Sequence, residues 1–238
     1  TNKDDKHGVL ILSNTKARKI TYSLRSMADY KCKMLESRLD GTLLTIENHD
    51  VWVKLIGEFN AYNMLAIYSA SIELGLNSED VLKGISKIES AAGRFQTFRN
   101  RKNITGIVDY AHTPDAYKNI LSAINNIRTC NEKILMVFGC GGDRDASKRS
   151  KMTLIAANMT DQIILTSDNP RTESLDSIIE DMTKELDPVQ QKKTLIILDR
   201  KEAIKTASRL ANDGDIILLA GKGHERYQDI NGMRHPFD

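Results

Sequence analysis

The spacing of hydrophobic residues changes twice along the chain, and each change marks a different kind of structure. Up to residue 55, short apolar runs at 9–12, 20–23, 41–46 and 51–55 are separated by polar turn residues. This pattern predicts antiparallel strands. The period then lengthens. Phe59, Met64, Leu65, Ile67, Tyr68 and Ile72 recur at helical spacing, which predicts a helix over 59–74 closed by Gly75 as its C-terminal cap. Ser78-Glu79-Asp80 then opens a second helix over 81–88.

From residue 104 onwards the two periods alternate. Strand-like runs at 104–109, 134–138, 162–166, 195–198 and 215–220 are interleaved with helical spacings over 115–128, 150–158, 175–186 and 201–211. That order predicts an α/β fold, a Rossmann-like, mostly parallel sheet with helices on both faces. The basic run Arg99-Asn100-Arg101-Lys102-Asn103 reads as a loop. A domain boundary is therefore expected near 93–103, dividing the chain into 1–95 and 96–238.

Composition narrows the function classes. With 40% hydrophobic and 28% charged residues, the 238-residue chain can build a core and lies outside the range of disordered sequences. Its 34 Lys and Arg against 32 Asp and Glu leave a net charge of +2, which argues against a dedicated nucleic-acid binder. The longest apolar runs, 194–198 and 216–220, are far shorter than the ~20 residues of a membrane helix. Cys32, Cys130 and Cys140 show no metal-ligand spacing and fit a reducing compartment; Cys32 and Cys130 read as inert thiols. The polar start at Thr1 and the stop at Asp238 read as cuts inside a longer protein.

In an open parallel sheet, ligands sit beyond the carboxyl ends of the strands. Four strands are followed there by polar or glycine-rich segments: Asp109-Tyr110-Ala111-His112-Thr113-Pro114-Asp115, Gly139-Cys140-Gly141-Gly142-Asp143-Arg144-Asp145, Ser167-Asp168-Asn169-Pro170-Arg171 and Gly221-Lys222-Gly223-His224-Glu225. Each has a plainer explanation when taken alone. Asp168-Asn169-Pro170 suits a turn, His112 suits a turn hydrogen bond, and 139–142 matches neither GxGxxG nor GxxxxGK[ST]. At one rim, however, Arg144, Arg171, Lys222, Asn169 and Glu225 can hold a zwitterion, because guanidinium forks suit carboxylates and a carboxylate with a backbone carbonyl suits an ammonium.

These segments, with Gly57-Glu58-Phe59-Asn60-Ala61-Tyr62-Asn63, Gly93-Arg94-Phe95, Lys148-Arg149, Asp199-Arg200 and the run 220–228, resemble the Mur ligases, most closely the MurE-type branch. The resemblance implies a cytoplasmic, ATP- and Mg2+-dependent acid–amino-acid ligase of three domains. The chain matches the C-terminal part of the central ATPase domain over 1–95. Over 96–238 it matches the amino-acid-binding C-terminal domain without its last helix. By the same resemblance, Arg144, Asn169, Arg171, Gly221 and Glu225, with Asp168 and Pro170, hold meso-diaminopimelate. Asn60 and Asn63 lie near the adenine, Arg94 near the nucleotide cleft, and Asp109 and His112 near the ribose and phosphates. The other substrate, a UDP-N-acetylmuramoyl-dipeptide, belongs to an N-terminal domain that the chain does not match, and no membrane or nucleic-acid partner is implied. No residue here is assigned to the chemical step, since a glycine-rich phosphate loop is lacking. Rival readings are a non-catalytic amino-acid or nucleotide binding module, or a sister ligase of the lysine-adding or folylpolyglutamate type.

Overall fold

A computed structural model describes residues 1–129 and 131–237, without the side chain of Val9. The expectation for Cys130 falls outside the described residues. The chain divides into two compact units, Thr1–Ser90 and Ala91–Asp238.

The first unit contains α1 (Lys6–Asn14), β1 (Tyr22–Ser23), β2 (Tyr30–Arg38), β3 (Gly41–Ile46), β4 (His49–Val53), α2 (Glu58–Glu73) and α3 (Ser78–Lys87). The strands lie in the order β1-β2-β3-β4, with β1 parallel to β2 and the other pairs antiparallel. Glu47 and Asn48 connect β3 to β4 with φ of 47° and 69°, the left-handed pair that a two-residue hairpin turn needs. Helix α2 buries Ala61, Met64, Leu65 and Tyr68 against Cys32, Leu44, Ile46 and Val53 of the sheet, and α3 adds Val81 and Ile85.

Two features of this unit differ from the sequence expectation. Residues 9–12 are helical, part of α1, because Asp5 caps the helix by accepting a hydrogen bond from His7 N at 2.8 Å. A four-residue apolar run is too short to show its period. The hydrophobic pattern does not reveal strand β2, whose register shifts between Met34 and Glu36. A bulge of this kind interrupts the alternation that identifies a strand.

The second unit contains β5 (Gln96–Arg99), β6 (Thr105–Asp109), α4 (Pro114–Ile127), β7 (Ile134–Phe138), α5 (Ser147–Met159), β8 (Gln162–Leu165), α6 (Leu175–Thr183), α7 (Pro188–Lys192), β9 (Thr194–Ile196), α8 (Arg200–Leu210), β10 (Ile216–Ala220), β11 (Tyr227–Ile230) and β12 (Met233–Pro236). Its six-stranded sheet has the order β5-β6-β10-β7-β8-β9, parallel except for β5. Every residue of β7 is buried, as a strand covered on both faces requires. From β6 to β9 the chain advances across the sheet; α8 then carries it back so that β10 inserts between β6 and β7. Right-handed crossovers in opposite directions place their helices on opposite faces. Ala203 and Ala207 of α8 accordingly pack on Val137, Ile164 and Ile217.

The basic run read as a loop forms the turn of the β5–β6 hairpin. Asn100 Oδ1 accepts from Lys102 N at 2.9 Å and Ile104 N at 3.0 Å. After β10 the chain forms the β11–β12 hairpin, whose turn is Asn231-Gly232 with φ of 51° and 77°. Among the described residues, no helix is long and apolar enough to cross a membrane.

The amino end of the parallel sheet is fastened by buried Asp215, 4% exposed. Its Oδ1 accepts from Lys133 N at 2.8 Å and its Oδ2 from Asn212 N at 2.7 Å. Asp215→Ala strands both donors and is expected to destabilise the chain by about 1–3 kcal/mol, read as a lower denaturant midpoint by far-UV circular dichroism.

Candidate functional site

The loops that leave the carboxyl ends of β6, β7, β8 and β10 enclose one cavity of about 510 Å³. Close backbone packing shapes it. A Cβ on Gly139 would strike Thr166 O, and one on Gly142 would strike Pro170 O, so the loops after β7 and β8 touch main chain to main chain. Gly142 N also donates to Asn169 O at 2.9 Å. Gly93, with φ of 68°, packs equally closely on the backbone of Gly223 and His224.

Buried charge holds the loops in place. Arg149, with a side chain 2% exposed, reaches Glu173 at 2.7 Å and Asp181 at 3.0 Å, and donates to Gly141 O at 3.1 Å. Glu173 Oε1 in turn accepts from Asp143 N at 2.7 Å. This chain of contacts fixes the segment that carries Arg144. On the cavity wall, Asp168 lies 3.9 Å from Arg200 and 3.8 Å from Lys222.

The cavity wall includes Arg144, Asp168, Asn169, Arg171, Gly221 and Glu225, so the structure brings together six of the seven residues expected at an amino-acid site. Pro170 lies outside the wall; its carbonyl accepts from Glu173 N at 3.1 Å and closes the turn. Arg171 has a left-handed backbone, φ 52°, held by main-chain bonds to Asp229 O at 3.0 Å and from Asn231 N at 2.8 Å. Its Nη1 donates to Gly142 O at 2.6 Å. Arg171 does not pair with the nearby Glu173, which is taken by Arg149. Arg144 is exposed and has no hydrogen bond or ion pair among the described residues. Asn169 Nδ2 donates to Glu225 Oε2 at 3.0 Å, and its Oδ1 accepts from Asp229 N at 2.9 Å.

Lys222 differs from the sequence expectation. Expected as a cation for the ligand, it is 4% exposed and lies behind the wall, its ammonium donating to Tyr227 O at 2.6 Å and Asn169 Oδ1 at 2.9 Å. In the sequence, Arg149 and Arg200 stand out only as parts of motifs. Their burial depends on distant carboxylates and carbonyls that no local spacing reveals.

The residues expected on the nucleotide side have the following settings. In α2, Asn60 donates to Ile56 O at 2.8 Å and Asn63 to Asn60 Oδ1 at 3.2 Å. In the second unit, the Arg94 guanidinium lies 4.6 Å from the Tyr110 ring centre. Asp109 accepts from Phe95 N at 2.7 Å and Ala111 N at 2.6 Å. Burial pushes its carboxyl above the usual range, against the opposing pull of those two N–H groups and of Arg94. His112 Nδ1 is 2.8 Å from Tyr110 O, a contact in which Nδ1 carries the hydrogen and donates. Among the described residues, no group of three or more His, Cys, Asp and Glu is placed to hold a metal ion.

An open, mostly parallel sheet with a charged crevice beyond its carboxyl ends defines a Rossmann-like binding unit. The chain belongs to the Mur ligase family: the Mur ligase glutamate ligase domain matches residues 93–223, and the Mur ligase middle domain matches residues 1–70. The UDP-N-acetylmuramoyl-L-alanyl-D-glutamate–2,6-diaminopimelate ligase of Bacteroides fragilis is 51% identical over 238 residues, 100% of this chain and 49% of the relative. The ligase of the same name from Cytophaga hutchinsonii is 50% identical over 237 residues. A solved structure of a ligase of that name, 38% identical, superposes with a TM-score of 0.66 over 100% of this chain and 50% of its own. A folylpolyglutamate synthase from Thermotoga maritima, 18% identical with a TM-score of 0.65 over 84% of this chain and 45% of its own, shares the fold. The chain thus spans about half the length of the curated relatives it matches.

Cys140 lines the cavity, but burial, with the nearby Asp168 charge, pushes its thiol up to about 12. Burial does the same to Cys32, also to about 12. Because the thiolate is the reactive species, both should alkylate roughly 100-fold or more slowly in the folded chain than after unfolding at pH 8, read residue by residue by peptide mass mapping.

Proposed function

We propose that the chain is part of an ATP-dependent ligase that adds meso-diaminopimelate to UDP-N-acetylmuramoyl-L-alanyl-D-glutamate in the cytoplasm. In this reaction ATP phosphorylates the peptide carboxylate, the amino group of diaminopimelate attacks the acyl phosphate, and an amide forms as phosphate leaves. The second unit supplies the amino acid in position, which lowers the barrier by orienting the nucleophile. Asn60 and Asn63 in the first unit, and Arg94, Asp109 and His112 in the second, are the residues assigned to the nucleotide. Asp109, with both oxygens engaged by backbone, acts there by shaping its loop.

One observation carries the reading: Arg171 stands on the cavity wall with its guanidinium hydrogen-bonded, among the described residues, only to a carbonyl oxygen. Diaminopimelate ends in an ammonium and a carboxylate, whereas lysine ends in an ammonium alone. Arg171, with Asn169 and the unpaired Arg144, answers the carboxylate; Gly221 O and Glu225 answer the ammonium. A site built around a carboxylate rejects the analogue that lacks it, since its own charge is left unpaired.

Calorimetric titration tests this. The chain should bind meso-diaminopimelate in preference to lysine, and Arg171→Ala should weaken diaminopimelate by roughly 2 kcal/mol or more, about 30-fold, with the melting temperature little changed. Equal affinity for lysine, or an unchanged preference in Arg171→Ala, would remove the assignment.

Residues 1–238 contain no GxxxxGK[ST] loop, and neither Mg2+ nor the terminal phosphates are assigned a residue here. Amide formation coupled to ADP release should therefore be undetectable with the 238-residue chain alone, in a coupled ADP assay that the full-length ligase satisfies.

A further inference from the structure

We propose that Lys222 is a positioning residue: it fixes which end of the Asn169 carboxamide and which oxygen of Glu225 face the bound amino acid. This rests on the amino-acid reading of the cavity and goes beyond it, because Lys222 lies behind the wall and touches no ligand.

The three ammonium hydrogens meet three acceptors, Tyr227 O at 2.6 Å, Asn169 Oδ1 at 2.9 Å and Glu225 Oε2 at 3.4 Å. No donor is left over for a substrate. An amide can present either its oxygen or its nitrogen, and this contact decides between them: a cation on Oδ1, with Asp229 N on the same atom at 2.9 Å, forces Nδ2 towards Glu225. Glu225 Oε2 then receives both Asn169 Nδ2, at 3.0 Å, and Lys222 Nζ. Oε1 remains for the ligand's ammonium. The bond to Tyr227 O carries the arrangement into β11, so one buried cation sets the wall, the carboxylate and the hairpin.

A positioning role and a purely electrostatic role predict opposite signs. As a mere charge, Lys222 repels the ligand's ammonium, and its removal would leave the two carboxylates Asp168 and Glu225 against Arg200 alone, one negative charge in excess, strengthening ammonium binding. As a positioning group, its removal lets Glu225 and Asn169 turn, weakening it. The ligand pair that isolates this is meso-diaminopimelate and 2-aminopimelate, which lacks one ammonium.

In Lys222→Met, which keeps the length of the side chain, the ratio of the two affinities should fall about tenfold or more, the scale of losing a hydrogen bond to a charged group. General damage to the rim would weaken both ligands alike and leave the ratio unchanged. An unchanged or raised ratio overturns the proposal. If the unsubstituted chain binds neither compound, the amino-acid reading fails instead, and the positioning claim is decided without ligand by NMR. In the unsubstituted chain, the Lys222 ammonium protons should be visible and show a cross-relaxation peak to the Asp229 amide, whose exchange protection should drop in Lys222→Met. Ammonium protons that exchange freely, or unchanged Asp229 protection, overturn it.

Discussion

The crevice depends on one guanidinium. Arg200, at the start of α8 and 3% exposed, donates to Ala220 O at the end of β10 at 2.8 Å and to Ser167 O just beyond β8 at 3.4 Å. Those two strands do not pair; β7 lies between them. A buried cation is tolerated only where it is paired and hydrogen-bonded, and Asp168 at 3.9 Å supplies the countercharge. The same carboxylate sits 3.8 Å from Lys222. The loop positions beyond the sheet follow from this group: Asp168 cannot move without unpairing Arg200, and Asn169 is the next residue along.

Charge at this rim is arranged in two layers. From beneath the wall, Arg200 and Lys222 face the wall residues Asp168 and Glu225, two cations against two carboxylates. Arg149, Glu173 and Asp181 form a second closed group under the loop after β7. What remains towards the cavity is Arg171, whose guanidinium hydrogen-bonds to the Gly142 carbonyl, and Arg144. Desolvation has been met within the fold itself, so the groups facing the cavity can act on whatever enters.

Much of the second unit was legible in the sequence because a parallel sheet covered on both faces demands continuous apolar runs; β7 has the expected bounds to the residue, as does β3 in the antiparallel sheet of the first unit. What escaped did so for identifiable reasons. β5 is a half-exposed edge with polar Gln96 and Thr97, β2 carries a bulge, and residues 9–12 were too few to distinguish helix from strand. The β11–β12 hairpin did carry a signal, since Asn231-Gly232 between flanking apolar residues is a strong short-range hairpin cue. The rim residues were legible by position, directly after strands. Which cation faces the cavity was not, because Lys222 and Arg171 differ only in partners 53 and 29 residues away along the chain.

The docking of that hairpin bears on how the site could be transplanted. The segment 168–171 is held from outside itself: Gln228 Nε2 donates to Asp168 O, Asp229 N to Asn169 Oδ1, and Asn231 N to Arg171 O. Moved alone into a sister scaffold, those four residues would carry their side chains but lose the framework that gives Arg171 its left-handed turn. The smallest portable module is the loop together with residues 227–231, two stretches far apart in sequence that would have to be exchanged, or to diverge, as one.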